Sequence, residues 1–236
     1  ERMHAEADAR TAADLALART IQMSALPSSD RAFMDRLSFS LAAECHPARE
    51  VGGDFYDFFS LPGDRVAFLV ADVSGKGIPG AMFMMEAKNV LKNCLVGFAD
   101  VAEAVAEANR RLCANNRAEL FVTAWVGVLD REGVVEYVNA GHSRPFVRHA
   151  DGSVVKVIGR GGRFLGMFED AAYRVNTVRL APGDVLYLYT DGVTEATDAS
   201  NRLFGMERLE ASLNRCCEDT PEDTVRKVKA DVDEFV

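Results

Sequence analysis

The order in which strand-like and helix-like stretches follow one another does most to limit what this chain can fold into. After Pro27 the runs "LSFSLAAECHP", "GGDFYDFFSLPGDR" and "RVAFLVADVSG" read as strands, with a Pro-Gly-Asp turn between the last two. Two consecutive helices follow, "GAMFMMEAKNVLKNCL" and "DVAEAVAEANRRLCANN", the second with Val101, Val105, Ala108 and Leu112 at helical spacing. Strands return in "LFVTAWVGVLD", "VVEYVNAG", "PFVRHADGSVVKVI" and "DVLYLYTDG", with hairpin-type turns at Arg131-Glu132-Gly133 and Asp151-Gly152. The tail "EDTVRKVKADVDEFV" places Val225, Val228, Val232 and Phe235 on one helical face. Strands, two helices, strands and a helix make an α+β chain with mainly antiparallel sheets.

Residues 1–30 have a different texture. The stretch to Leu26 has no glycine, is rich in alanine and charge, and is stopped by Pro27, so it reads as one helix. Leu15, Ala18, Gln22 and Ala25 form a narrow seam with Leu17, Ile21 and Leu26 beside it. Such a seam suits pairing with another helix, and packing on the helix's own domain is the plainer alternative. The division expected is an N-terminal helix over 1–30 and one folded domain over 31–236. The abrupt charged start reads as a cut from a longer chain.

Composition excludes some functions. Of 236 residues 48% are apolar, enough for a real core. The formal charge of −9 argues against nucleic acid, which demands a basic face. Cys45, Cys94, Cys113, Cys216 and Cys217 show no C-x-x-C spacing and read as reduced thiols of a cytoplasmic protein. No uncharged apolar run approaches the roughly 18 residues a membrane span needs.

The stretch "VADVSGKGIPG" raises the question of a phosphate-cradling loop. That loop needs glycine five residues before its Gly-Lys pair and serine or threonine after it, whereas Val70 and Gly77 stand there. What remains is Asp72 at the end of an apolar strand, followed by glycines that permit a sharp turn. Asp54 in "EVGGDFYD" and Asp191 in "LYLYTDG" share that setting. Three aspartates brought together at strand ends would suit Mg²⁺ or Mn²⁺, hard cations that take oxygen ligands. Equally, each Asp-Gly can serve only as a turn. His142 in a strand-end turn reads as a hydrogen-bonded structural residue, Lys76 as a solvated loop lysine or a phosphate contact, and Trp125 as core.

The motifs "EVGGDFYD", "VADVSGKGIPGAMFM", "FVTAWVGVLD", "NAGHSRP" and "LYLYTDGVTEATD", in this order, resemble the SpoIIE/RsbU branch of the metal-dependent type-2C serine/threonine protein phosphatases. "LALARTIQMSALP" is similar to the helix that links the catalytic domain of this branch to a sensory domain. The resemblance implies a sandwich of two antiparallel β-sheets flanked by helix pairs, with a two-metal cluster of Mn²⁺ or Mg²⁺ at one edge. It implies that Asp72 bridges both metals, that the Val73 carbonyl is a ligand of one, that Asp191 binds the other, and that Asp54 acts through water. Arg49 stands where relatives have a phosphate-binding arginine.

The implied substrate is a phosphorylated regulatory protein, typically a STAS-type anti-sigma-factor antagonist, and the implied assembly a homodimer through the linker helix with an upstream sensory domain. Family members close with an Asp-Asp pair entering a last strand, so one metal ligand is expected beyond residue 236. Asp231 and Asp233, in the terminal helix, are not expected to replace it. A metal-free or catalytically impaired interaction module of the same fold is the alternative.

Overall fold

The computed structural model describes residues 2–28, 39–48, 50–216 and 219–236. Among them the chain forms α1 (Arg2–Ala25), β1 (Phe55–Leu61), β2 (Arg65–Val73), α2 (Ile78–Gly97), α3 (Val101–Asn115), β3 (Val122–Leu129) and β4 (Val134–Ala140). There follow β5 (Phe146–Arg148), β6 (Val154–Lys156), β7 (Gly161–Gly162), β8 (Asn176–Arg179), β9 (Val185–Tyr187), α4 (Asp191–Thr194), α5 (Gly205–Asn214) and α6 (Pro221–Phe235). One sheet runs β1-β2-β3-β4-β7, with β8 also on β4; the other runs β6-β5-β9. Every pairing is antiparallel except β4 with β7.

The strand period of two sorts the side chains into layers. On β2, Ala67, Leu69, Ala71 and Val73 pack with Phe83, Met84 and Leu91 of α2 and Val105, Ala108 and Leu112 of α3. The alternate residue Phe68 joins Trp125 and Tyr137 against Val147 and Leu186 of the second sheet. The outer face of that sheet, through Phe146 and the following Tyr189, packs on Leu209 and Leu213 of α5 and Val228 of α6. The result is the four-layered α-β-β-α sandwich expected from the sequence, with Trp125 fully buried between the sheets.

Two expectations change. The described part of "LSFSLAAECHP", from Phe39 on, carries no strand. The seam of α1 faces its own domain: Gln22 is buried, Leu15, Ala18 and Ala25 are half-buried, and Leu26 and Met23 pack against the main core. Among the described side chains of α1, the large apolar residues left exposed are Leu17 and Ile21, at 60% and 57% exposure.

Candidate active site

The hairpin register builds the site. Phe55 pairs with Ala71, so one step further Asp54 stands across from Asp72, just beyond the end of β1. Asp72 pairs in turn with Thr123 on β3. Paired residues project to the same face of a sheet, and by the alternation of β2 and β3 that face is the one shared with Phe68 and Trp125, between the two sheets. The third aspartate arrives from the second sheet: β9 ends at Tyr187, and Asp191 opens α4 a few residues on.

Two of the three meet directly, and the third acts on them through its charge. The Asp54 and Asp72 carboxyls are hydrogen-bonded to each other, and the negative charge of Asp191 acts on both. The Thr190 hydroxyl donates to Asp54 Oδ2 at 2.9 Å. A β-carbon at Gly53 would lie 2.6 Å from the Val73 carbonyl oxygen, so glycine is what lets that oxygen approach the turn before Asp54. The Val73 amide also donates to the Gly53 carbonyl, at 3.3 Å.

The electrostatics are those of buried anions held close to one another. Burial, then the Asp54 charge, the hydrogen bond between the two carboxyls and the charges of Asp191 and Glu195 push the Asp72 carboxyl up to about 8. Burial also raises Asp54, opposed by its hydrogen bonds to Asp72 and Thr190. A carboxyl pair raised by burial and by its acidic neighbours suits a hard divalent cation, whose ligands are carboxylate and carbonyl oxygens. As they stand, no three carboxylate, imidazole or thiolate side chains among the described residues are grouped closely enough to hold an ion.

Arg49 lies outside the described residues. Lys76 is exposed in its loop. Asp231 bonds Ser212 and Arg215, and Asp233 bonds Lys229, so both are engaged in helix-surface contacts. Sequence reasoning missed Thr190 and Glu195; the hydroxyl directly before Asp191-Gly192 was the available signal for the first.

The family model of stage II sporulation protein E (SpoIIE) matches residues 62–235. The chain belongs to the SpoIIE family of PP2C-type phosphatase domains. It is 28% identical over 228 residues to protein IcfG of Synechocystis sp., covering 85% of this chain and 35% of that protein. To phosphoserine phosphatase RsbU of Bacillus subtilis it is 28% identical over 150 residues, 63% of this chain and 44% of RsbU. The chain thus spans less than half of these curated relatives. The SiaA-PP2C domain of Pseudomonas aeruginosa superimposes with a TM-score of 0.80 at 25% identity, over 97% of this chain and 92% of that domain. Among the described residues no helix is long and apolar enough to cross a membrane.

Proposed function

We propose that this domain is a metal-dependent protein phosphatase that hydrolyses phosphoserine or phosphothreonine on a regulatory protein. The observation that carries the reading is the strand register that sets Asp54 against Asp72, with the charge of Asp191, just after the second sheet's β9, acting on both. Asp72 and Asp191 would hold two Mn²⁺ or Mg²⁺ ions together with the Val73 carbonyl, and Asp54 would act on them through water. When bound, such ions lower the pKa of water and neutralise phosphate oxygens, which removes the need for a protein nucleophile. The chain's own part is orientation: Thr190 fixes the rotamer of Asp54, Gly53 admits the Val73 carbonyl, and Arg49 would bind the substrate phosphate. The names of RsbU and of its relative RsbP, both phosphoserine phosphatases, support the reaction class.

The substrate in this reading is a phosphorylated STAS-domain protein of a partner-switching system in the cytoplasm, and α1 joins two copies through Leu17 and Ile21. One observation favours a second reading, an interaction module without metal: the described side chains do not encircle an ion. Phosphate release from a phosphoserine protein, followed across an Mn²⁺ series for the chain and for Asp191→Asn, separates them. The enzyme reading expects ion-dependent release that the variant loses, and no release at any Mn²⁺ concentration favours the module.

A further inference from the structure

His142 belongs to none of these roles, yet it closes a ring of contacts around the site. Its imidazole is buried where the first sheet ends, two residues after β4. On one side Nδ1 lies 2.8 Å from the Thr123 hydroxyl; on the other Nε2 lies 3.1 Å from the Tyr189 carbonyl oxygen. A carbonyl can only accept, so Nε2 carries the proton and Nδ1 accepts from Thr123. Burial pushes the imidazole down to about 4, in keeping with that single neutral tautomer.

The backbone of His142 is held as firmly as its ring. Its amide donates to Asn139 Oδ1 at 2.8 Å and its carbonyl accepts from Asn139 Nδ2 at 3.0 Å, while Gly141 takes the positive φ of 73° that the turn requires. Both ends of the imidazole bridge lead to the aspartates. Thr123 is the β3 partner of Asp72, and its hydroxyl oxygen lies 3.5 Å from the Asp72 carbonyl oxygen. Tyr189 is followed by Thr190, which holds Asp54, and by Asp191. The circuit therefore runs from Asp54 to Asp72, Thr123, His142, Tyr189 and Thr190 and back to Asp54, joining the ends of the two sheets.

We propose that His142 is a positioning residue that sets the separation between the sheet end carrying Asp54 and Asp72 and the turn carrying Thr190 and Asp191. It is not an acid or base, because both ring nitrogens are committed to protein partners. The proposal rests on the reading that these aspartates hold divalent ions. Partners that orient ligands from behind change metal affinity about ten- to a hundredfold when removed.

The test compares the chain with His142→Ala, His142→Gln and Thr123→Val by the Mn²⁺ concentration that half-saturates the rise in melting temperature. Release of phosphate from a phosphoserine peptide, with kcat and KM at saturating Mn²⁺, is the second readout. His142→Ala is expected to raise the half-saturating Mn²⁺ about ten- to a hundredfold, with KM unchanged. His142→Gln, which keeps an amide donor for the Tyr189 carbonyl, recovers part of that loss, and Thr123→Val, which keeps the fold and removes one hydroxyl, shifts it a few-fold in the same direction. Half-saturation unchanged in Thr123→Val and in His142→Gln or His142→Ala, whatever happens to their metal-free melting temperature, overturns the proposal and leaves a purely structural histidine. A parent chain whose melting does not respond to Mn²⁺ overturns the metal reading itself, and the proposal with it.

Discussion

Lys88→Met should be among the most damaging single changes in this protein, although it touches no residue of the site. The Lys88 ammonium on α2 lies 2.8 Å from Asp57 Oδ2 on β1, and the two side chains are 8% and 1% exposed. The other Asp57 oxygen accepts the Phe58 amide at 2.9 Å. Methionine fills the lysine's space but leaves a carboxylate between helix and sheet with that one donor. Removing one partner of a buried pair costs about 3–5 kcal/mol, because the remaining charge is uncompensated. For a domain of this size about 1 kcal/mol corresponds to roughly 2–4 °C, so melting should fall by roughly 6–20 °C.

The double variant Asp57→Asn/Lys88→Met keeps an acceptor for Phe58 and removes both charges, so it should regain more than half of the loss. Thermal melting and urea unfolding of parent, both single variants and the double variant give the cycle. A single-variant loss under about 1 kcal/mol, or a double variant as unstable as the two losses added, would show that water reaches Asp57 and that the pair is not the buried tie described.

Three further outcomes are expected. In metal-free protein the Asp72 carboxyl contributes stability that is full below its ordinary 3.8 and is lost as pH rises through about 8; Asp72→Asn should therefore melt higher than the parent at pH 9, match it near pH 4, and lose the Mn²⁺ response, and lower melting at pH 9 would contradict the strained acidic pair. Leu17→Glu with Ile21→Glu charges the exposed apolar stripe of α1 without touching its buried face, so light scattering over a concentration series should show a dimeric parent and a monomeric variant; equal masses count against α1 as the dimer element. Gln22→Ala removes a donor to the Gly52 carbonyl at 2.7 Å and an acceptor of the Gly52 amide at 3.1 Å, which should cost about 1–3 kcal/mol and speed hydrogen exchange at Gly52 to Asp54, and unchanged exchange there would deny the clamp.

What was legible in the sequence was whatever repeats at short range. The helical spacing of Val101, Val105, Ala108 and Leu112 marks α3, whose Val101, Val105, Ala108 and Leu112 are indeed buried. The Pro-Gly-Asp turn marks the β1-β2 hairpin, and of the three strand-end aspartates the register sets Asp54 across from Asp72, with the charge of Asp191 acting on both. Long-range partnerships were not legible. Thr123 and His142 meet because β3 and β4 are neighbours in one sheet and Tyr189 comes from the other, which local spacing does not encode. Gln22 misled in another way: it sits on a seam that suits pairing with another helix, whereas its amide is matched to the backbone of Gly52. "LSFSLAAECHP" has the composition of a strand, yet its described residues have no strand neighbour to pair with, and propensity alone does not make one.

These contacts also decide by which route α1 reaches the site. α1 touches α2, where the Gln22 amide lies 3.6 Å from the Met84 sulfur. The stronger attachment is to the turn before Asp54, through two hydrogen bonds between the Gln22 side-chain amide and the Gly52 backbone, and to β1, where the Tyr56 hydroxyl donates to the Pro27 carbonyl just after α1. Asp72 sits inside β2, paired with β3, where a small displacement would have to break a ladder. Asp54 precedes β1, and the turn before it is tied to β2 by the single bond from Val73 to Gly53. A shift of α1 therefore moves Asp54 at less cost than Asp72. Any opening of the acidic pair would therefore start on the β1 side, and the Lys88 tie at Asp57 on β1 would limit how far it travels.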